Sequence, residues 1–141
     1  LHENTPSNVH EVEQLFAGKN SIIFAVPGAF TPGCSNIHLP SYLARFDGFK
    51  SQGYDLIVCV SVNDAFVMEA WGKAHQCEGK IMMLADPLCI FTQALGLEIQ
   101  AKALGGLRSK RYSMVVEDGK VTQLNVEPDG FGLTCSLAEN I

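Results

Sequence analysis

Residues 22–40 read IIFAVPGAFTPGCSNIHLP, and this stretch determines how the rest of the chain is interpreted. Its apolar beginning is typical of a buried strand, and the Pro-Gly pairs at 27–28 and 32–33 predict a tight loop after that strand. Cys34 then stands where a helix can begin. Unpaired backbone N–H groups and the positive end of the helix dipole favour a thiolate there, and the thiolate is the nucleophilic form of cysteine. We therefore expect Cys34 to carry out chemistry.

Length and composition predict a single folded domain. The chain has 141 residues, of which 47% are hydrophobic and 18% are charged, so it is too apolar to be disordered. The formal net charge of -5 argues against nucleic-acid binding, which requires a basic face. No apolar run approaches the ~18 residues of a membrane span, and the first residues show no signal-peptide pattern. Because the sequence begins with Leu1, we expect a processed or trimmed chain, from which any targeting segment would have been removed.

The cysteines indicate the redox environment. There are five, and they are scattered along the chain as Cys34, Cys59, Cys77, Cys89 and Cys135. This spread is typical of an intracellular, reducing compartment and not of a secreted domain held by disulfides. We expect no metal site, because the pair at positions 75 and 77 lacks two further ligands at zinc-site spacing. The mean hydropathy of +0.12 leans apolar, which favours a contact between subunits.

The hydrophobic pattern predicts the order of the elements. Strands are expected at 21–26, 54–62, 81–85, 111–117 and 120–127, the last two joined by the hairpin turn Asp118-Gly119. Helices are expected at 9–17, between 34 and 53, at 63–74 and at 88–95. We expect a loop at 97–107, and in residues 133–141 the start of a C-terminal helix that is truncated.

This order combines a parallel βαβ half with an antiparallel ββα half. The combination predicts an α/β protein with the thioredoxin-like fold, a central mixed β-sheet flanked by helices. We expect residues 1–141 to form one such domain, with residues 1–11 as a lead-in. Within it, apolar spacing predicts a kink at Pro40, and a buried helix face that carries Phe66, Ala70 and Ala74.

The residues before Cys34 restrict its chemistry. Thioredoxin-like redox proteins carry Cys-x-x-Cys at the start of this helix, whereas this chain has Thr31 in place of the first cysteine. A single thiolate cannot close a local disulfide, which argues against a disulfide oxidoreductase. Attack on an external electrophile remains, with the Thr31 hydroxyl placed to orient it.

Pro27, Thr31 and Cys34 form the Pro-x-x-x-Thr-x-x-Cys signature, and on this signature the chain resembles the peroxiredoxins, specifically their peroxiredoxin-5 branch. The similarity extends from residue 12 onward through further blocks at 60–66, 84–87, 110–116, 124–130 and 133–138. It implies a thiol peroxidase in which Cys34 attacks hydrogen peroxide or an organic hydroperoxide and becomes a sulfenic acid. A redox sensor, whose oxidised Cys34 is recognised by a partner, is the alternative.

The resemblance also implies roles for individual residues. Pro27 would shield the pocket, Thr31 would orient the peroxide, and Arg111 would stabilise the thiolate and the developing negative charge. Gly33, His38 and Phe30 are expected to line the substrate pocket, His38 because it lies one helical turn after Cys34. A structural histidine and a packing role for Phe30 remain open.

Two cysteines are candidates for the resolving thiol. Cys135 matches the animal-type enzymes that form an intramolecular disulfide, whereas Cys59 stands where plant members carry their second cysteine. We favour Cys135, because Cys59 lies in an apolar strand in which burial makes a thiol inert. The resemblance further implies thioredoxin as the reductant ahead of glutaredoxin, no bound cofactor, a homodimer, and a location in cytoplasm, mitochondrion or peroxisome.

Overall fold

The computed structural model describes residues 1–141, which form nine strands, five α-helices and three shorter helical turns. The strands are β1 (His2–Glu3), β2 (Thr5–Val9), β3 (Asn20–Ala25), β4 (Leu56–Ser61), β5 (Met82–Ala85), β6 (Glu98–Ala101), β7 (Gly106–Ser109), β8 (Tyr112–Glu117) and β9 (Lys120–Val126). The α-helices are α1 (Val12–Phe16), α2 (Leu39–Ala44), α3 (Phe46–Ser51), α4 (Ala65–Ala74) and α5 (Ile90–Ala94). A π-helical turn spans Cys34–His38, and two 3-10 turns span Lys102–Leu104 and Ala138–Asn140. None of these helices is long and apolar enough to cross a membrane.

Seven of the strands form one mixed sheet in the order β2-β1-β5-β4-β3-β8-β9. Strands β3, β4 and β5 are parallel, while β8 runs antiparallel to β3 and pairs with β9 through the predicted turn. Asp118 and Gly119 both have positive φ, as a type I′ turn requires. The prediction of a thioredoxin-like α/β fold with a central mixed sheet is therefore confirmed.

The core lies on both faces of this sheet because successive residues of a strand point to opposite sides. Phe24 and Cys59 face one cluster, together with Cys34 and the side chains of α2, α3 and α4. Ile23 and Val58 face the other cluster, which α1 closes. The uninterrupted apolar run of β4 follows from this arrangement, since that central parallel strand is covered on both faces.

The helix that carries Cys34 is interrupted where Pro40 was expected to kink it. Proline has no N–H, and in a regular α-helix its ring would press on the carbonyl of residue 36. The chain instead forms a wider π turn, in which the Leu39 N–H donates to the Cys34 carbonyl five residues earlier. Single π turns of this kind are rare within α-helices and are frequent at functional sites.

Helix α4 is rotated relative to the prediction. The face that carries Phe66, Ala70 and Ala74 was expected to be buried, but all three are exposed, and Phe66 is 59% accessible. The buried residues are Ala65, Met68, Trp71 and Gly72. Two features fix this orientation. The Trp71 Nε1–H donates to Ser35 Oγ at 2.9 Å. Gly72 packs closely on Met83, since a Cβ at position 72 would lie 2.8 Å from Met83 Cγ.

Three segments differ in secondary structure from what the sequence predicts. Residues 97–107 were expected as a loop, but residues 98–101 and 106–107 belong to the two-stranded sheet of β6 and β7, whose small residues hide the strand pattern. Residues 2–9, expected as a lead-in, form an antiparallel pair that joins the main sheet through β5. Residues 133–141 form no α-helix, only the 3-10 turn at Ala138–Asn140.

Candidate active site

Cys34 lies in the first turn of the helix that follows β3, and it has no exposed surface. The loop between β3 and this helix is held by the end of β4. The Ser61 hydroxyl donates to the Val26 carbonyl at 3.1 Å, and Asn63 Oδ1 accepts the Ala29 N–H at 3.0 Å. The end of one parallel strand therefore fixes the loop that leaves its neighbour.

Thr31 is turned back onto this loop. Its hydroxyl donates to the Gly28 carbonyl at 2.7 Å. Because a hydroxyl has one hydrogen and two lone pairs, Thr31 Oγ1 remains able to accept a hydrogen bond but has no further hydrogen to donate.

Register brings Arg111 to the same place. Ala25 of β3 pairs with Tyr112 of β8, so Arg111 lies beside the point at which the Cys34 loop begins. Its guanidinium is buried and is held on two sides: Nε donates to the Phe131 carbonyl at 3.1 Å, and Nη1 donates to His38 Nδ1 at 3.1 Å. Nη2 forms no hydrogen bond within the protein. If residue 33 carried a side chain, its Cβ would lie 3.3 Å from Nη2. The absence of a side chain at position 33 therefore makes room for Arg111 next to Cys34.

His38 is a neutral acceptor that orients this arginine. Its Nε2 lies 3.0 Å from the Ser136 carbonyl, which can only accept, so Nε2 carries the hydrogen and Nδ1 is free to accept from Arg111. Burial, and then the positive charge of Arg111, lower the pKa of His38 from 6.5 to about 3. The ring is also fixed by Phe24, whose centroid is 5.1 Å away.

A cleft of about 560 Å³ opens beside these residues. Its lining includes the expected Pro27, Thr31, Gly33 and Arg111, with apolar walls from Ala101, Ala103, Leu104, Phe131 and Leu133. The expectation that His38 and Phe30 line the pocket does not match this lining. His38 is buried and bonded to Arg111, whereas Phe30 is 56% exposed and has a positive φ of 64°.

Arg108 is a second arginine at the cleft, and its position in a basic cluster of the sequence gave no sign of a site role. Its Nη1 donates to the Pro27 carbonyl at 3.4 Å and its Nη2 to the Leu104 carbonyl at 2.8 Å. A Cβ on Gly28 would meet Nη1 at 3.2 Å. Arg108 thus ties the Pro27 loop to the opposite wall of the cleft.

The two candidate resolving cysteines have different surroundings. Cys59 is fully buried in β4, and burial, together with the neighbouring Cys34, raises its pKa well above the ordinary value. Cys135 is partly exposed, and its thiol donates to the Val126 carbonyl at 3.4 Å. Burial and the charge of Glu127 raise the pKa of Cys135. All five cysteines are unpaired in this structure.

No sequence pattern singled out Glu127, although the structure gives it a central place. Its side chain is buried, and its carboxylate accepts hydrogen bonds from residues 134, 135 and 136. Burial acts to raise the pKa of Glu127, but hydrogen bonds from Ser136 and Thr134 outweigh it and hold the pKa well below the usual range. The available signal was weak: an acidic residue at the end of a strand, followed by Thr-Cys-Ser.

No cluster of three or more His, Cys, Asp or Glu side chains is arranged to hold a metal ion. The site combines a buried thiol, a hydroxyl that can accept, and an arginine whose Nη2 group forms no hydrogen bond within the protein. These groups suit a reaction in which a thiolate attacks an oxygen and negative charge develops on the leaving atom.

Comparison with known proteins identifies the family. Residues 1–140 match the Redoxin family. Peroxiredoxin-2D of Arabidopsis thaliana is 44% identical over 140 residues, which cover 99% of this chain and 86% of the relative. Peroxiredoxin sll1621 of Synechocystis sp. is 48% identical over 126 residues, covering 89% of this chain and 66% of the relative.

Solved structures agree. Reduced Prx3 from Vibrio vulnificus in complex with hydrogen peroxide superposes with a TM-score of 0.91 at 52% identity, covering 98% of this chain and 87% of that one. Peroxiredoxin 5 from Alvinella pompejana gives a TM-score of 0.84 at 47% identity over 95% of this chain and 87% of its own, which supports the peroxiredoxin-5 branch. The chain therefore belongs to the redoxin family and is a peroxiredoxin, a thiol peroxidase.

Proposed function

We propose that this peroxiredoxin reduces hydrogen peroxide and organic hydroperoxides through Cys34, that Cys135 resolves the product as an intramolecular disulfide, and that thioredoxin recycles the enzyme. In the first step the Cys34 thiolate bonds to the terminal peroxide oxygen and the O–O bond breaks. The sulfur becomes a sulfenic acid, and the departing oxygen takes a proton and leaves as water or an alcohol.

The arrangement of Arg111 supports this step more than any other observation. Its Nη2 group has no partner within the protein and lies against Gly33, the residue before Cys34. A guanidinium stays charged at every physiological pH, so it can stabilise a thiolate and a developing oxyanion without titrating. His38 and Phe131 fix its direction before substrate arrives.

Thr31 and the cleft are the proposed substrate contacts. Because the Thr31 hydrogen is donated to Gly28, its oxygen would accept from the O–H of the peroxide and so define which oxygen faces Cys34. Pro27 would exclude water from one side. The apolar walls at Leu104, Phe131 and Leu133 suit the alkyl group of an organic hydroperoxide. The Vibrio relative, solved in complex with hydrogen peroxide, supports the smaller substrate.

The second half of the cycle has to remove the sulfenic acid before further oxidation. The Cys135 thiolate would attack the Cys34 sulfur, a disulfide forms, and the sulfenic oxygen leaves as water. Thioredoxin would then reduce the disulfide by thiol exchange. Partial exposure of Cys135 favours it over Cys59, which is fully buried within a central strand.

Two further features support proposals for assembly and location. Exposed apolar side chains at Phe66, Leu88 and Ile90 favour a homodimer. Five unpaired cysteines favour a reducing intracellular compartment such as cytoplasm, mitochondrion or peroxisome.

A coupled assay tests the proposal. Peroxide consumption is followed with thioredoxin, thioredoxin reductase and NADPH, comparing the wild type with Cys34→Ser and, as a matched control, with Cys89→Ser. We expect turnover in the wild type and the control and none in Cys34→Ser. Unchanged turnover in Cys34→Ser would overturn the assignment. Mass spectrometry of the oxidised protein then identifies the disulfide, and a bond from Cys34 to Cys59 alone would replace Cys135 as the resolving thiol.

A further inference from the structure

The segment that carries Cys135 is held by one buried carboxylate. We propose that Glu127 is a positioning residue for the resolving step: it holds residues 134–136 with the Cys135 thiol turned away from Cys34, and its release sets the rate of disulfide formation. This inference rests on the proposed function, in which Cys135 resolves the Cys34 sulfenic acid.

Glu127 collects hydrogen bonds from three successive residues. Its oxygens accept the backbone N–H groups of Thr134, Cys135 and Ser136 at 2.9, 2.9 and 2.8 Å. The hydroxyls of Thr134 and Ser136 each add a bond of 2.6 Å. Hydrogen bonds to an ionised acceptor are stronger than neutral ones, and successive N–H groups of this kind form an anion-binding concavity. The segment is therefore fixed by one charge.

The anchored segment lies next to the Cys34 helix. Leu133 packs close to Gly33, since a Cβ at position 33 would lie 3.6 Å from Leu133 Cδ1. The Ser136 carbonyl accepts from His38 Nε2 at 3.0 Å and from the Tyr42 hydroxyl at 2.7 Å. Residues on both sides of Cys135 thus contact the elements that position Cys34.

The Cys135 thiol nevertheless points elsewhere. It donates to the carbonyl of Val126, at the end of β9, while its own N–H is bound by Glu127. In the proposed opening, residues 134–136 turn the Cys135 thiol out of its bond to Val126 toward Cys34 and give up their N–H bonds to the carboxylate. Opening of the Glu127 contacts is therefore a required part of the resolving step.

The backbone of Glu127 is itself held by hydrogen bonds. Its N–H donates to the Arg111 carbonyl at 3.0 Å, and the Arg111 N–H donates to the Gly130 carbonyl at 2.8 Å. Glu127, which directly follows β9, is thus bonded through its backbone to Arg111. Its charge has a second effect, because it adds to burial in raising the pKa of the Cys135 thiol. In the closed segment the Cys135 thiol is bonded to Val126, and its ionisation is disfavoured.

Asp129 provides a matched control two residues away. It is exposed, and its carboxylate accepts only the N–H groups of Phe131 and Gly132, none of which belongs to residues 134–136. Glu127→Gln and Asp129→Asn therefore remove the same charge from the same loop, but only the first removes charge-assisted bonds from the Cys135 segment.

The test is a single-turnover experiment on the full chain. Reduced protein is mixed with one equivalent of hydrogen peroxide, quenched at intervals by acid and alkylation, and analysed by mass spectrometry for the sulfenic acid and for the Cys34–Cys135 disulfide. We expect the conversion of sulfenic acid to disulfide to be about tenfold faster in Glu127→Gln than in the wild type. Its pH profile should shift to lower pH, because the Cys135 thiol loses the neighbouring negative charge. Asp129→Asn should follow the wild type in both respects.

A purely structural role for Glu127 predicts a different result, since disruption of the fold slows the reaction and leaves its pH profile in place. Equal or slower disulfide formation in folded Glu127→Gln overturns the proposal. If that variant does not fold by circular dichroism, Thr134→Val and Ser136→Ala decide, each removing one hydroxyl donor, with an expected acceleration of about threefold. Absence of the disulfide in the wild type would overturn the proposed function as well, whereas a normal disulfide with unchanged variant rates overturns only the role of Glu127.

Discussion

The two cysteines proposed to react are held by different kinds of contact. Cys34 lies in a helical turn within the larger apolar cluster of the core, between β3 and the helices that cover it. Cys135 lies in a segment without strand or helix, held by hydrogen bonds to Glu127, His38 and Tyr42. Apolar packing holds a group in place permanently, while a set of polar contacts around one charge can open and close. The first suits a nucleophile that must meet small substrates, and the second a thiol that must move.

Replacing each cysteine in turn tests this division most strongly. Cys34→Ser should abolish peroxide reduction, because a serine hydroxyl does not supply the thiolate that attacks the peroxide. Cys135→Ser should retain one equivalent of peroxide reduction but lose thioredoxin-supported turnover, because the sulfenic acid is no longer resolved. A quantified burst with stoichiometric peroxide distinguishes the two. Sustained thioredoxin-supported turnover in Cys135→Ser would assign the resolving role to another thiol.

Arg111→Lys tests the Cys34 site, the more firmly held of the two regions. Lysine keeps the charge but cannot donate to Phe131 and His38 while directing a third N–H group toward Gly33. We expect kcat/KM for hydrogen peroxide to fall by about 100-fold or more, the scale found when a preorganised donor is removed. Arg45→Lys, at an exposed arginine, is the control and should match the wild type. A loss of less than threefold would mean that charge alone suffices.

His38 is bonded both to Arg111 at the Cys34 site and to the Ser136 carbonyl in the Cys135 segment. Its protonation should lower the stability of the folded protein. Burial and Arg111 lower its folded-state pKa from 6.5 to about 3. Between these values the unfolded chain binds a proton that the folded protein does not, so the free energy of unfolding decreases as pH falls, by up to about 1.4 kcal/mol per pH unit. Glu127 has a lowered pKa, so its contribution is lost only below its ordinary value of 4.5.

Urea denaturation between pH 7.5 and 4.5 therefore isolates His38. In His38→Phe the dependence of unfolding free energy on pH should be shallower than in the wild type across this range. The other three histidines are common to both proteins and cancel in the difference. Parallel curves would show that folding does not lower the pKa of His38.

Tyr42→Phe should have the smallest effect. It removes one hydroxyl that donates to the Ser136 carbonyl, while His38 continues to donate to the same atom. We expect the free energy of unfolding to fall by about 1 kcal/mol and disulfide formation to accelerate about threefold. Tyr54→Phe is the matched control. Slower disulfide formation in Tyr42→Phe would indicate that Tyr42 guides Cys135 instead of restraining it.

The parts of this protein that the sequence predicted are those with local signals. The strand order follows from apolar runs and turn residues, and Pro27, Thr31 and Cys34 lie within eight positions of one another. The roles of His38 and Glu127 depend on contacts across the chain, such as that between His38 and Ser136, which are separated by 98 positions. No periodicity encodes such a contact.

The same limit explains the error in α4. Its spacing of apolar residues allowed a face centred on Phe66, but Trp71 is the larger side chain and has a partner in Ser35. Gly72 then brings the helix against Met83. Tertiary packing decided between two possible faces, and only the folded chain contains that information.

The N-terminal strand pair also bears on how the molecule associates with others. An unpaired sheet edge is a template for adding strands from another chain, which leads to aggregation. Here one edge is β2, which is short and exposed and contains Pro6, a residue with no N–H to offer an incoming strand. The other edge is β9, which begins with Lys120 and carries a β-bulge at Thr122, a residue without a partner in β8. Neither end of the sheet invites extension, so any contact between copies of this protein would be made through its helices and loops, and the proposed opening of the Cys135 segment would leave both protected edges in place.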